Sequence, residues 1–204
     1  MLSFFDQIFT LLTTAPGSLT YHLIVTFSIM AALALAMRPW SRRNARRVTG
    51  LAVLLAGRLA LFGLALLTLS GLASEHILLP PVDRAVTTLS LVVVIWLWAF
   101  PQRSAAGDIA SLLAGLLVVV AGAFTGVLWV GQSVGTAFNA TLLDAGWQVF
   151  SALVAIGGVA LLLVAQPAGW GPALWMVGLL GLGHAGAFLF PETTGDFPGL
   201  VRLA

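Results

Sequence analysis

An all-α, polytopic transmembrane helix bundle is the fold this sequence predicts: six spans preceded by an amphipathic helix lying at the interface. Three observations predict it. Six apolar runs, Leu19–Met37, Thr49–Leu72, Val86–Phe100, Ile109–Gly131, Ala145–Ala165 and Pro172–Phe190, divide the chain. Most approach or exceed the roughly 20 residues needed to cross a hydrocarbon core about 30 Å thick. Apolar residues make up 60% of the 204 and charged residues 8%, with a mean hydropathy of +1.06, whereas a soluble domain carries about a quarter charged residues. Finally, every basic residue is Arg, and Arg38, Arg42, Arg43, Arg46 and Arg47 are packed into the one interval between the first two runs.

The elements follow in order. Positions 1–17 place Leu2, Phe4, Phe5, Ile8, Phe9, Leu11 and Leu12 at helical spacing, with Ser3, Asp6, Gln7 and Thr10 between them. That stretch is too short to span, so it reads as an interfacial amphipathic segment. Ala15-Pro16-Gly17 breaks it, and Ser18 can cap the first span. Positions 18–190 form the six-span bundle. The arginine cluster acts as a membrane-orientation signal and a contact for anionic head groups, which puts that loop in the cytoplasm and the N-terminus outside. The expected localisation is the cell's inner (plasma) membrane, crossed several times. Leu79-Pro80-Pro81-Val82 reads as a rigid break before the third span, with Asp83, Asp108 and Asp144 capping the third, fourth and fifth. Gly122–Gly126 is a GxxxG, and Gly157, Gly158, Gly178, Gly181, Gly183 and Gly186 mark close helix contacts. Trp96, Trp98, Trp129, Trp147, Trp170 and Trp175 fall near span ends and read as an interfacial belt.

Positions 191–204 form an outer loop and the start of another helix that stops after about one turn, which predicts a chain truncated before a seventh span. The segments Thr13–Met30, Leu79–Pro101 and Gly195–Ala204 (GDFPGLVRLA) resemble the N-terminal multi-span region of bacterial sensor histidine kinases that contain GAF or PAS domains. The resemblance implies a sensing half that precedes a cytoplasmic signalling domain. It offers no settled ligand residues, and the sequence has no phospho-acceptor histidine motif and no ATP-binding motif.

Candidate site residues rest on chemistry alone. Arg58 falls near the middle of the second span, where an Arg costs a few kcal/mol and faces the bundle interior or water. Acceptors open to it are backbone carbonyls, hydroxyls such as Thr26, Ser28, Ser90 or Ser151, or an anionic ligand; alternatively it snorkels to the cytoplasmic face. Tyr21, His22, Glu75, His76, Asp83, Arg84, Asp144, Trp147, Gln148, Glu192 and Asp196 gather near the outer ends of several spans. His184 lies inside the sixth span among glycines, either bonded to a neighbouring helix or donating to a ligand. From these, His22, Arg58, Trp147 and His184 are the expected ligand-lining residues.

No catalytic residue and no cofactor is assigned. The absence of Cys excludes thiol chemistry and disulfides, and the three His show no metal-ligand spacing. This segment therefore reads as no enzyme, and the resemblance implies a kinase domain beyond its C-terminus. A net charge of +2 argues against nucleic acid despite a pI near 10.5. Expected partners are the lipid bilayer, a second copy in a homodimer and the cytoplasmic signalling domain. The leading function is a membrane sensory module that binds a small or lipophilic signal near the outer face and relays it by helix movement. The rivals are a transporter or channel subunit, a lipid or quinone enzyme, and a structural subunit of a membrane complex.

Overall fold

The computed structural model describes residues 7–8, 12–13, 17–37, 45–102, 104–133, 135–191 and 195–204. These form helices α1 (Gly17–Met37), α2 (Ala45–Leu69), α3 (Glu75–Ala99), α4 (Ala105–Gln132), α5 (Leu142–Ala165), α6 (Trp170–Leu189) and the short α7 (Gly199–Leu203), with a 3-10 turn at Phe138–Ala140. Among the described residues there is no strand. Helices α1 to α6 are each long and apolar enough to cross a membrane. The chain is a multi-pass membrane protein built as an all-α bundle. Most of the expected amphipathic segment, together with Arg38, Arg42, Arg43, Arg103 and Glu192, lies outside the described residues.

Five of the six spans occur within a few residues of their apolar runs. The third differs. Sequence reading began it at Val86, after a Pro80-Pro81 break, but α3 starts at Glu75 and carries both prolines inside it. Proline lacks an N–H, so Pro80 cannot donate to the carbonyl of His76, four residues earlier. The indole of Trp129 on α4 donates to that carbonyl instead, at 2.8 Å. A helix normally interrupted by such a pair is repaired by a side chain from its neighbour.

The consequence is positional. Because the helix continues through the prolines, Asp83 and Arg84 are helical and buried, not a cap on a loop. The other two expected caps change in the same way. Ser104 caps α4 by accepting from the Gly107 amide, and Thr141 caps α5 by accepting from Asp144. Asp108 and Asp144 sit in those first turns, which still suits the positive helix ends, and their carboxylates are committed to Arg46 and Arg84.

Helix α3 is the axis of the bundle. It packs against α2, α4, α5 and α6, and half of its most apolar stretch is buried, against 11% for α1. Small residues let its neighbours approach. A methyl group added at Gly122 of α4 would fall 2.8 Å from the Ala85 Cβ, and one at Gly158 of α5 would fall 2.4 Å from the Ile95 Cδ1. Ridges of small residues are how apolar helices gain dispersion contact where lipid already satisfies the hydrophobic effect. The outer faces of α4 and α5 carry exposed Leu112, Val127, Leu153 and Ile156, as a lipid-facing surface requires.

The last helix is bound just as closely. Beside Gly183 of α6, a Cβ would meet the Leu200 carbonyl oxygen at 3.1 Å and the Val201 Cα at 3.2 Å. Two results follow for stability, both read by detergent-driven unfolding in micelles. Trp129→Phe strands the partly buried His76 carbonyl and lowers stability by about 1–3 kcal/mol. Gly183→Leu forces α7 off α6 and costs about 1–3 kcal/mol, whereas Gly178→Ala, with open space around it, costs nothing measurable.

Candidate functional site

At the end of the bundle that carries both α1's start and the C-terminal segment, ionisable side chains from nearly every element converge below the surface. Asp83 is the centre. Its carboxylate lies 3.2 Å from Arg84 Nη1 and 3.5 Å from Arg202 Nη2, and it is also within electrostatic reach of His22 and Arg58. Arg84 is 1% exposed and spends its guanidinium on several partners. Its Nε donates to Asp144 at 2.6 Å, its Nη2 to the Asn139 side-chain carbonyl at 2.6 Å and to the Asp196 backbone carbonyl at 3.1 Å. One guanidinium thus ties α3 to α5, to the 3-10 turn and to the segment after α6. Its rigid fork suits a buried, multi-partner site of this kind.

From Asp144 the chain of bonds continues inward. Gln148 Nε2 faces the Asp144 carboxylate at 3.2 Å, which fixes the amide so that Oε1 faces His184 Nδ1 at 2.7 Å. A carbonyl oxygen only accepts, so His184 carries its proton on Nδ1. Thr88 and Ser151 share a hydrogen bond at 2.6 Å one turn deeper. Nearer the surface, Asp196 accepts from the Phe138 amide at 2.8 Å and meets His76 Nδ1 at 2.7 Å, while His76 Nε2 faces the Ser133 carbonyl at 2.7 Å. Both His76 nitrogens face acceptors, so the doubly protonated ring fits the site fully and pairs with Asp196.

Arg202 closes the cluster from the other side. It enters from α7 with its guanidinium 4.1 Å above the Phe197 ring and 4.9 Å from the Tyr21 ring, donates to the Leu12 carbonyl and approaches His22 Nε2 at 3.3 Å. Burial pushes its pKa down, and Asp83 pulls it back up. Arg58 reaches the same region from α2, within electrostatic reach of Tyr21 and Asp83. It sits 13 residues from the start of α2 and 11 from its end, about 20 and 17 Å at 1.5 Å per residue, and is 7% exposed. Arg58 is therefore inside the bundle, not snorkelling to either face. None of the hydroxyls expected from sequence bonds it: Thr26, Ser28 and Ser90 donate to carbonyls of their own helices, Ser151 bonds Thr88, and Arg58 Nε and Nη1 have no hydrogen-bond partner among the described residues.

Of the four ligand-lining candidates, the structure brings His22 and Arg58 together around Tyr21 and Asp83 and links His184 to the same cluster through Gln148, Asp144 and Arg84. Trp147 is elsewhere. It is 4% exposed, donates to Thr125 of α4 at 3.1 Å and packs with Trp129, Phe138, Val92 and Val118. Trp129 and Trp147 are thus core residues and not part of an interfacial belt, while Trp96 and Trp98 lie beneath Arg46 and Arg47 at the opposite end. There Arg46 bonds Asp108 and the Gln102 carbonyl, fastening the start of α2 to the α3–α4 turn. The sequence places Asp83 among the polar residues near the outer span ends but offers capping as a sufficient role for it, and it does not single out Arg202 or Asn139. Asp83 and Arg84 would have stood out as an intramembrane pair had α3 been read through its prolines; Arg202 carries no local signal beyond being a charge in an apolar tail.

The geometry defines an all-α, multi-pass membrane protein with a buried, charged core at one end. No protein-family model, no curated protein and no solved structure matches the chain. Among the described residues no three His, Asp or Glu are placed to hold a metal ion.

The electrostatics make a graded prediction. Arg84→Met leaves the buried Asp144 without its ion-pair partner and Asp83 with Arg202 alone, and lowers stability by about 3–5 kcal/mol. Arg84→Met combined with Asp144→Leu recovers a large part of that loss, because no charge is then stranded at that pair. Arg46→Met at the half-exposed Asp108 pair costs no more than about 1 kcal/mol. Unfolding in micelles ranks the three variants.

Proposed function

We propose that this chain is the membrane-embedded sensory module of a bacterial signal-transduction protein of the histidine-kinase type. It sits in the inner membrane with its N-terminus outside, binds a small or lipophilic signal near the outer face and relays it through helix movement. The observation that carries the reading is the placement of Arg202. The segment that follows the sixth span is inserted, through this one guanidinium, between Asp83 of α3 and His22 of α1. A signal that competes for Asp83, His22 or Arg58 changes the hold on the C-terminal segment, from which a signalling domain would be driven. The physical requirement is a differential affinity for two arrangements of that segment. Helix α1, packed mainly on α2 and mostly lipid-exposed, is the element with least to lose by moving. The arginines around Arg46 and Arg47 set the orientation, and two copies of the module would serve as the homodimer that a kinase output uses.

The gene itself supplies the test. Reading the frame beyond the codon for Ala204 is expected to show about 20 apolar residues followed by a signalling domain. A stop codon at that point would remove the output and, with it, the sensor reading.

A further inference from the structure

The donors and acceptors around Tyr21 do not balance. Arg58 Nε and Nη1, Arg202 Nε and His22 Nδ1 are all buried and have no hydrogen-bond partner. The His22 tautomer follows from its neighbour: Arg202 Nη2 can only donate, so the facing His22 Nε2 must accept, and the proton sits on the unpartnered Nδ1. These are four donor nitrogens without acceptors among the described residues. Tyr21 lies among all three residues, within electrostatic reach of Arg58, in ring contact with His22 at 5.5 Å and with its ring 4.9 Å from the Arg202 guanidinium.

Among the described residues the charges are unequal as well. Arg58, Arg84 and Arg202 are buried together with Asp83 and Asp144 as the buried counter-charges, and Asp196 is matched by His76. Arg84 holds Asp144, Asp83 is shared between Arg84 and Arg202, and Arg58 has no ion pair among the described residues. Arg keeps its charge in any protein environment, so this charge cannot be relieved by losing a proton. An unpaired buried cation with unsatisfied donors is costly, and in a membrane protein it marks a ligand or ion path.

We propose that Arg58, Arg202, His22 and Tyr21 form a binding site for a carboxylate or phosphate anion. The anion would accept from the four free donors and supply the missing negative charge. This rests on the sensor reading and deepens it, by giving the signal a sign and a head group. Two sources carry that chemistry. A lipophilic carboxylate arrives sideways past α1, which has only α2 as its main support among the spans. A water-borne anion arrives from the end of the bundle beside Arg202.

The test uses the full chain in nanodiscs of neutral phosphatidylcholine. Radiolabelled decanoate and inorganic phosphate are titrated separately, with thermal melting followed in parallel and decanol as the uncharged control. Saturable binding of either anion, with a rise in melting temperature that decanol does not reproduce, is the expected result; decanoate alone points to the membrane route, and phosphate alone to the aqueous one. Arg58→Gln is expected to weaken the bound anion at least tenfold, and Arg58→Lys, which keeps the charge and changes the geometry, by less. Arg46→Gln leaves binding unchanged. Absence of saturable binding of both anions to the unaltered protein overturns the proposal whatever the variants do, as does equal stabilisation by decanol or unchanged affinity in a folded Arg58→Gln protein. The outcome is separate from that of the gene reading: a stop codon after Ala204 with saturable binding would sink the sensor and leave the anion site standing.

Discussion

One buried carboxylate holds this bundle's charged end together. Asp83 sits on the central helix, flanked by Arg84 and Arg202, and without it two guanidinium groups would face one another in a setting with little water to separate them. The desolvation of such charges is repaid only where geometry and hydrogen bonding are both nearly complete. Around Arg84 they are complete, with acceptors from α5, the 3-10 turn and the C-terminal segment. Around Arg58 they are not. That contrast within a single cluster separates a structural half, which fixes α3 against α5, from a half with chemistry left over.

The position of Asp83 depends in turn on how α3 treats its prolines. Two consecutive prolines in a soluble chain are a strong reason to end a helix, and the sequence alone supplies no hint that Trp129, nearly fifty residues later, will donate to the freed carbonyl. In a low-dielectric setting the alternative to repair is an unsatisfied carbonyl, so a neighbouring indole has more to offer there than in water. Once the helix is continuous, the side chains at 83 and 84 are carried into the bundle and the remaining charged groups organise about them.

This explains which parts could be read in advance. The six spans are legible because a run of apolar residues about 20 long has one efficient solution in a bilayer, and the glycines at 122 and 158 mark close approach for the same reason. The gathering of polar residues at one end was also legible, since Tyr21, His22, His76, Arg84, Asp144, Gln148 and Asp196 all fall near span ends of like topology. Their individual roles were not. Capping was a sufficient local account of Asp83, Asp108 and Asp144, and a local account has no access to Arg84 or Arg46 arriving from another helix. Trp147 looked interfacial for the same reason: position along a span does not say which way a ring faces. The tail reads as an outer loop and the start of a helix, which the five residues Gly199–Leu203 form, but its packing against Gly183 has no signal in the sequence.

The unequal halves of the cluster bear on how such a bundle could move. A conformational change needs an element whose contacts can be exchanged at small net cost, and fully satisfied networks are poor candidates because every displacement strands a group. The Arg84 half is of that kind. On the other side, α1 contributes Tyr21 and His22 while burying little of its own surface, and Arg202 reaches across to them from a helix of five residues. Rearrangement there breaks few bonds, and any acceptor that arrives gains donors that the folded chain leaves unpaired. The rigid half would then act as the fixed frame, with Asp83 as the pivot shared by both, so that a charge added beside Arg58 is felt at Arg202 without disturbing the grip of α3 on α5.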